Sequence, residues 1–165
     1  MSQSPAKQVW IEIHKEAHHF SCAHFTIFSA TERENLHGHN YSVQARAQCT
    51  IADTGLCFDY NELKKMIEDV CDSLDETTLV PALSPYVSIR QEGNYICVDF
   101  ADETMKFLPR DVKVLDVRNV TVEELANWFM VNLTSTQEFQ MLSIVRFEVS
   151  VSSGPSESAT ATWTL

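Results

Sequence analysis

Apolar and polar residues alternate with a period of two between His39 and Cys49. Because successive side chains of a β-strand point to opposite faces, this alternation predicts a strand with one buried face. Other runs are rich in β-branched and aromatic residues, which also favours strands. These runs cover residues 9–13, 20–27, 112–117, 144–151 and 159–163.

Two segments have the periodicity of an amphipathic helix instead. After Asp59, apolar residues recur at offsets of 0, 3, 4, 7 and 11, which places them on one face of a helix that Asp59 or Asn61 can cap. These apolar residues are Leu63, Met66, Ile67, Val70 and Leu74. The second helix is predicted to start after Thr121, because Thr121 and Glu124 form a capping box in which each side chain bonds the other's backbone N–H.

Turn-forming residues separate these elements. The polar segment 28–36 predicts a loop, and two prolines interrupt the pattern over 76–85. A hairpin is predicted between 86–90 and 95–100, on either side of a turn that contains glycine and asparagine. The order of elements predicts an α+β fold, in which an antiparallel four-stranded sheet carries two helices on one face and has an inserted hairpin. The length predicts a single domain over residues 1–165.

The net charge of −11 argues against nucleic-acid-binding proteins and proteins of anionic membranes, because both need a basic surface. No run of about 18 apolar residues is present, and the first residues are polar, without an apolar signal region. The five cysteines have no Cys-x-x-Cys spacing, which is typical of reduced thiols. These features predict a cytoplasmic protein that binds neither nucleic acid nor a membrane.

All six histidines lie between residues 14 and 39, which places the candidate chemistry in the first quarter of the chain. His37 and His39 share one face of a predicted strand, and the glycine between them lets another backbone approach. His24, on the preceding strand, can supply a third imidazole and leave a fourth position for water or substrate, as in catalytic zinc sites. The alternative is that all three are surface or hydrogen-bonded histidines. The other histidines lack this geometry and are predicted to have structural or supporting roles. They are His14, His18 and His19.

Five segments, taken in order, resemble the motifs of one enzyme family. They are Phe20–His24, Leu36–Tyr41, Cys57–Lys64, Leu74–Asp75 and Thr121–Ala126. Together they resemble the 6-pyruvoyltetrahydropterin synthase and 6-carboxytetrahydropterin synthase family, and the first two segments carry the predicted ligands. The resemblance runs from about residue 9 to residue 163, and the stretch of about 80–117 resembles an insertion found in longer members.

This resemblance implies the tunnelling fold, in which subunits pair their sheets into barrels. Active sites then lie between subunits, commonly in a hexamer built as a dimer of trimers, and an open sheet with unpaired edges also favours a homo-oligomer. The family's zinc ligands match His24, His37 and His39. Its substrate is 7,8-dihydroneopterin triphosphate, which loses triphosphate or a carbon fragment of its side chain in biopterin or queuosine biosynthesis. Zinc polarises the side-chain oxygens and makes the adjacent C–H more acidic.

The match fails at the family's proton-transferring residues. Arg33 occupies the position of the catalytic cysteine, four residues before the paired histidines, and Glu76 replaces the histidine that follows Leu-Asp. Cys22 is either a displaced catalytic thiol or core filler. Asp75 stays a catalytic candidate, with a structural role as the alternative. The family's pterin-anchoring glutamate near the C-terminal end falls at Ser153.

Carboxylates are the remaining candidate bases, because burial can tune them toward neutrality. Glu32, Glu34 and Glu76 are such candidates, and some family members use a glutamate before the histidine motif in a retro-aldol route toward folate. The alternative for Glu32 and Glu34 is a solvated loop charge. Arg33 either meets the triphosphate or is a surface arginine. Glu123, close to Thr121, matches the family's pterin-pocket glutamate, and compensation of the helix dipole is its alternative role.

These observations leave three functions open. The first is a zinc-dependent pterin lyase that acts on 7,8-dihydroneopterin triphosphate or a related pterin. The second is a catalytically silent pterin- or purine-binding protein on the same scaffold, suggested by the missing cysteine and histidine. The third is a glutamate-dependent, aldolase-type cleavage that yields a hydroxymethyl pterin.

Overall fold

The computed structural model describes residues 7–165, which form a seven-stranded sheet, a separate three-stranded sheet and three α-helices. The strands are β1 (Gln8–Ile13), β2 (His19–His24), β3 (His37–Thr50), β4 (Thr77–Pro81), β5 (Val87–Glu92), β6 (Tyr95–Phe100), β7 (Glu103–Phe107), β8 (Val112–Leu115), β9 (Ile144–Ser152) and β10 (Ser158–Thr164). The helices are α1 (Tyr60–Asp72), α2 (Val122–Thr134) and α3 (Gln137–Gln140). Within the described residues, every helix is too short or too polar to cross a membrane.

Strand β3 lies at the centre of the larger sheet. On one side it pairs antiparallel with β9, which pairs in turn with β10, and on the other side it pairs antiparallel with β1 and β2. Strands β4 and β8 then extend the sheet beyond β2 by parallel pairing. The sheet is therefore mixed and has seven strands, where the sequence pattern predicts four antiparallel ones.

Strand β4 lies in the segment 76–85, where the prolines predict an interruption. Pro81 occupies the last strand position, where a missing backbone N–H is tolerated. Leu79 packs in the main core and Val80 in a second apolar cluster, so β4 is covered on both faces. A parallel strand buried on both faces has no alternation, and the sequence pattern therefore misses it.

One face of the larger sheet carries both long helices, as predicted. Along β3, Tyr41, Val43, Ala45 and Ala47 are buried and the residues between them are more exposed. The apolar residues of α1 and α2 join these side chains in one core cluster. The α+β architecture predicted from the order of elements is thereby confirmed.

The two long helices begin where the sequence predicts, with one difference in a cap. Asp59 caps α1 by accepting a hydrogen bond from the backbone N–H of Asn61 at 2.9 Å, and Thr121 caps α2 by accepting from that of Glu124 at 3.4 Å. The Glu124 carboxylate accepts from the backbone N–H of Arg118 at 3.1 Å. Only half of the predicted capping box is therefore formed.

The predicted hairpin forms the first two strands of the three-stranded sheet, which we call the inserted sheet (β5–β7). Strands β5 and β6 pair around Gly93, whose φ is +60°. Strand β7 adds a third strand that the sequence pattern does not predict. One face of the inserted sheet packs on Phe25, Ile27 and Val80, so it lies against the loop that follows β2.

Candidate metal and active site

Strands β2 and β3 bring three imidazoles together. His24 lies opposite His37 in the antiparallel register, and His39 follows on the same face. The Nε2 atoms of His37 and His39 are 3.0 Å apart, and one nitrogen of each ring lies within 4.8 Å of the other two. Two nitrogens bound to one tetrahedral zinc are about 3.3 Å apart. In the part of the chain that the structure describes, the cluster includes no cysteine, carboxylate or fourth histidine.

Two backbone carbonyls orient the rings from outside. Nδ1 of His24 is 3.0 Å from the carbonyl oxygen of Val120, and Nδ1 of His37 is 2.8 Å from that of Asn35. Because a carbonyl only accepts hydrogen bonds, each Nδ1 carries a proton, and Nε2 is the nitrogen through which a neutral ring would bind a metal ion. Burial, reinforced by neighbouring His37, lowers the pKa of His24. The His24 ring is therefore neutral at pH 7, the form that binds a metal ion.

Tyr41 adds a hydroxyl group that the sequence analysis did not assign to the site. Its oxygen is 3.2 Å from Nε2 of His24, and the residue is 1% exposed. Burial raises the pKa of Tyr41, so the hydroxyl stays protonated at neutral pH. The signal was present in the sequence, since Tyr41 continues the alternation that places His37 and His39 on one face.

Glu34 lies on the return arm of the loop between β2 and β3, three residues before His37. Its Oε2 accepts a hydrogen bond from the backbone N–H of Thr26 at 3.0 Å, and its own N–H donates to the Thr26 carbonyl at 2.9 Å. Burial acts to raise the pKa of Glu34, but the Thr26 hydrogen bonds and the nearby His37 and His24 outweigh it and lower the pKa. The carboxylate is thus ionised at neutral pH and lies within electrostatic reach of the histidines.

Arg33 points away from solvent, with 16% of its side chain exposed. One terminal nitrogen donates to a Glu103 carboxylate oxygen at 2.6 Å and the other to the Glu34 carbonyl at 2.8 Å. The guanidinium carbon lies 5.3 Å from the ring centre of Phe25 and 5.6 Å from that of Phe100. Both terminal nitrogens therefore already have protein acceptors.

The other catalytic candidates lie outside the histidine cluster. Cys22 is 5% exposed, and burial, with a smaller contribution from Asp75, raises the pKa of its thiol to about 12. Asp75 accepts a hydrogen bond from the backbone N–H of Ser21 at 2.7 Å, which fastens the chain after α1 to β2. Glu76 is exposed, and its N–H donates to the Ser21 carbonyl at 2.8 Å. At neutral pH the Cys22 thiol is protonated, and Asp75 has a structural contact.

The candidate pterin-binding residues lie at the start of α2. Thr121 is its N-cap, and Glu123 is exposed in its first turn. The preceding residue, Val120, supplies the carbonyl that orients His24. The start of α2 therefore adjoins the histidine cluster, which the 96-residue separation of His24 and Val120 made impossible to foresee from local patterns.

Comparison with known proteins supports a family relationship. The family model described as 6-pyruvoyl tetrahydropterin synthase matches residues 12–162. A Pyrococcus abyssi protein proposed to be a 6-carboxy-5,6,7,8-tetrahydropterin synthase is 29% identical over 110 residues, which are 66% of this chain and 65% of that relative. A Methanocaldococcus jannaschii protein proposed to have the same activity is 25% identical over 142 residues, 85% of this chain and 86% of that relative. The match thus spans slightly less than two thirds of the first relative.

Solved structures match over nearly the whole chain. The 6-pyruvoyl tetrahydropterin synthase of Plasmodium vivax has a TM-score of 0.89 at 28% identity, covering 96% of this chain and 99% of that one. The Plasmodium falciparum synthase has a TM-score of 0.88 at 26% identity, with the same coverage. Two further P. vivax structures, each with a TM-score of 0.89 at 27% identity and the same coverage, have alanine or cysteine in place of a glutamate described as a catalytic residue.

Proposed function

The chain belongs to the 6-pyruvoyl tetrahydropterin synthase family, and we propose that it is a zinc-dependent pterin lyase acting on 7,8-dihydroneopterin triphosphate or a related pterin. The observation that carries this proposal is the convergence of His24, His37 and His39, whose ligand atoms lie within 4.8 Å of one another. Three imidazoles leave one tetrahedral position for a substrate oxygen, as catalytic zinc sites require.

The donor set fits a divalent zinc ion because Nδ1 of two of the rings is held by a backbone carbonyl, which leaves Nε2 as the ligand atom. Such outer hydrogen bonds fix the ring orientation and raise the basicity of the ligand nitrogen. When bound, zinc supplies a Lewis acid that polarises the side-chain oxygens of the substrate and acidifies the adjacent C–H. His24, His37 and His39 would hold it, with the Tyr41 hydroxyl beside them.

Glu34 is the group that we propose to accept the proton from that carbon. Its carboxylate is ionised because its pKa is lowered, and the Thr26 N–H fixes one of its oxygens while the other is left to accept a proton. The catalytic glutamate described for the P. vivax synthase supports a carboxylate in this role. Cys22 is unsuited to it, because a thiol with a pKa of about 12 supplies almost no thiolate at neutral pH.

Glu123 is our proposed contact for the pterin ring. A carboxylate can accept two N–H hydrogen bonds from an aminopyrimidinone edge, much as glutamate and aspartate accept from amino-bearing bases. Glu123 is exposed, and the turn that carries it is fixed by the Thr121 cap. Thr121 would contribute by fixing the first turn of α2, which carries Glu123.

The assembly that we propose is a homo-oligomer, a hexamer built as a dimer of trimers with active sites between subunits. This assembly is supported by the sheet topology, because β10 and β8 end the larger sheet and exposed edges favour pairing with another chain.

Free cysteines agree with a reducing compartment, and we place the protein in the cytoplasm. We treat residues 1–165 as one domain with the insertion at about 80–117.

A second candidate function is favoured by the replacement of the catalytic thiol with a carboxylate. Glu34, and not a cysteine, lies within electrostatic reach of the histidines. A carboxylate can deprotonate a side-chain hydroxyl and start a retro-aldol cleavage that yields a hydroxymethyl pterin. This function uses the same metal site and the same base, and only the bond that breaks differs.

The test is the product formed from 7,8-dihydroneopterin triphosphate by zinc-loaded protein, identified by mass spectrometry. A pyruvoyl or carboxy pterin supports the lyase, and a hydroxymethyl pterin identifies the aldolase-type reaction. His37→Ala should abolish turnover, whereas His14→Ala, an exposed histidine outside the cluster, should not change it. Tight pterin binding without any product would identify a silent binding protein and overturn the proposal.

A further inference from the structure

The inserted sheet meets the loop that carries Glu34 in two ways, by apolar packing on its outgoing arm and through Arg33 on its returning arm. The loop leaves β2 after His24, and Ile27 and Arg33 on its two arms form an isolated antiparallel bridge. The outgoing arm is packed in the apolar cluster through Phe25 and Ile27. The returning arm carries Arg33, whose guanidinium reaches Glu103, the first residue of β7.

Arg33 contacts the inserted sheet through both a cation–π interaction and an ion pair. The guanidinium lies over the rings of Phe25, from the loop, and Phe100, from β6, at 5.3 and 5.6 Å. Glu103 accepts from it at 2.6 Å. Only 16% of the Arg33 side chain is exposed, whereas 58% of the Glu103 side chain is, so water reaches this ion pair from the Glu103 side and the two aromatic rings cover the guanidinium.

The same guanidinium donates at 2.8 Å to the carbonyl of the next residue, Glu34. The backbone of Glu34 is thereby held on one side by Arg33 and on the other by its hydrogen bond to Thr26. Asn119 fastens the outgoing arm from the opposite direction, accepting from the Ile27 N–H at 3.1 Å and donating to the Ile27 carbonyl at 2.8 Å. Asn119 also precedes Val120, whose carbonyl orients His24.

We infer that the inserted sheet positions Glu34 relative to the histidine cluster by way of Arg33. This inference rests on the proposed role of Glu34 as the base. Arg33 is a positioning residue in this account, because its terminal nitrogens contact Glu103 and the Glu34 carbonyl. It gives the inserted sheet a function, which is to fix the arm of the loop on which the base lies.

The position calls for arginine specifically. A planar guanidinium can stack between two aromatic faces while its separate nitrogens donate to two acceptors, and a lysine ammonium cannot do both. Arg33→Lys is therefore expected to behave like Arg33→Met. Glu103→Gln keeps the size of the acceptor and removes its charge, so it tests the link from the side of the inserted sheet.

The first measurement is amide hydrogen exchange at Thr26 and Glu34, which does not depend on turnover. In Arg33→Met and Glu103→Gln, both amides should exchange at least about tenfold faster, because the arm opens locally. Glu92→Gln is the matched control, since Glu92 is an exposed acceptor like Glu103 but its partners, Arg90 and Lys106, lie on the inserted sheet itself. It should leave both rates unchanged. Unchanged rates in Glu103→Gln would overturn the inference.

The second measurement is steady-state kinetics with 7,8-dihydroneopterin triphosphate. A misplaced base lowers kcat and leaves substrate binding intact, so Arg33→Met and Glu103→Gln should lower kcat by about tenfold or more at unchanged KM. The double variant should be no worse than Arg33→Met, because both act through one contact. Normal kcat with faster exchange would overturn the inference. If exchange is faster in Arg33→Met and Glu103→Gln but the wild type converts no pterin, the proposed function is refuted. The role of Arg33 in holding the loop is then still supported.

Discussion

An imidazole binds a metal ion only when it presents an unprotonated nitrogen. In His24 and His37 the proton is kept on Nδ1 by the carbonyls of Val120 and Asn35, so both Nε2 atoms are left as ligands. Glu34, close enough for its charge to act on His24, adds an ionised carboxylate. At the scale of single residues, the site thus combines three imidazoles with one nearby carboxylate.

Glu34→Gln tests the proposed base. Glutamine keeps the oxygen that accepts from Thr26 but cannot take up a proton, so kcat should fall by about 10²–10⁴-fold. The metal content should stay equal to that of the wild type, because Glu34 is outside the ligand set. Steady-state kinetics and elemental analysis of the same sample measure both. Turnover equal to the wild type would show that another group takes the proton.

His18 predicts a pH dependence of stability. It is 1% exposed, and burial lowers its pKa from the ordinary 6.5, outweighing the hydrogen bond to the Lys64 carbonyl. Below pH 6.5, His18 therefore binds a proton in the unfolded chain but stays neutral in the folded chain until the pH falls further. The stabilising effect of neutral His18 is complete above that pH and is lost as the pH falls. Urea unfolding between pH 8 and about 5 measures the free energy of unfolding, which should fall less steeply with pH in His18→Gln than in the wild type. An equal fall in the two proteins would contradict this.

The sequence could predict residues of this site only where a periodic pattern or a motif marks them. His37 and His39 follow the period of two, and His24 lies on the adjoining predicted strand. Tyr41 follows the same period and could have been included. The carbonyl of Val120 has no side-chain signal, and only the packing of α2 against β2 and β3 places it beside His24.

The secondary structure elements were predictable where amphipathic patterns apply. The faces of β3, α1 and α2 follow their periodicity because each has one buried side. Strand β4 was not predicted because both of its faces are buried, and β7 was not predicted because it is five residues long and mostly exposed. The partners of β4, which are β2 and β8, lie far along the chain, so no local pattern encodes its pairing.

Helix α2 offers a test of its predicted start. Thr121→Ala removes the oxygen that accepts from the Glu124 N–H and should lower the free energy of unfolding by about 1 kcal/mol. Thr121→Ser keeps a capping hydroxyl and is the matched control. Urea denaturation of both variants measures the effect. Equal stability of the alanine variant and the wild type would mean that the cap contributes little to the fold.

At the scale of the whole molecule, the large sheet has one face covered by helices and ends in strands with a free edge. Its other face is lined along β3 and β9 by side chains such as Ser42, Gln44 and Ser150, which are polar and partly or fully exposed. A sheet with free edges pairs readily with a second copy. The net charge of −11 would oppose aggregation of the proposed assembly.

The proposed assembly predicts a solution mass of a hexamer. Size-exclusion chromatography with light scattering on the purified chain should give that mass over a range of protein concentrations, because the free strand edges are paired between subunits. A monomer that stays folded at every concentration would show that the sheet edges are protected in another way, and that the active site is complete within one chain.

The central claim is that His24, His37 and His39 together hold one metal ion. The most direct measurement is the metal content of dialysed protein by elemental analysis, for the wild type, His37→Ala and the control His14→Ala. Our account predicts about one zinc per chain in the wild type and in His14→Ala, and almost none in His37→Ala. A wild type without bound metal, or a His37→Ala variant that retains it, would contradict the account.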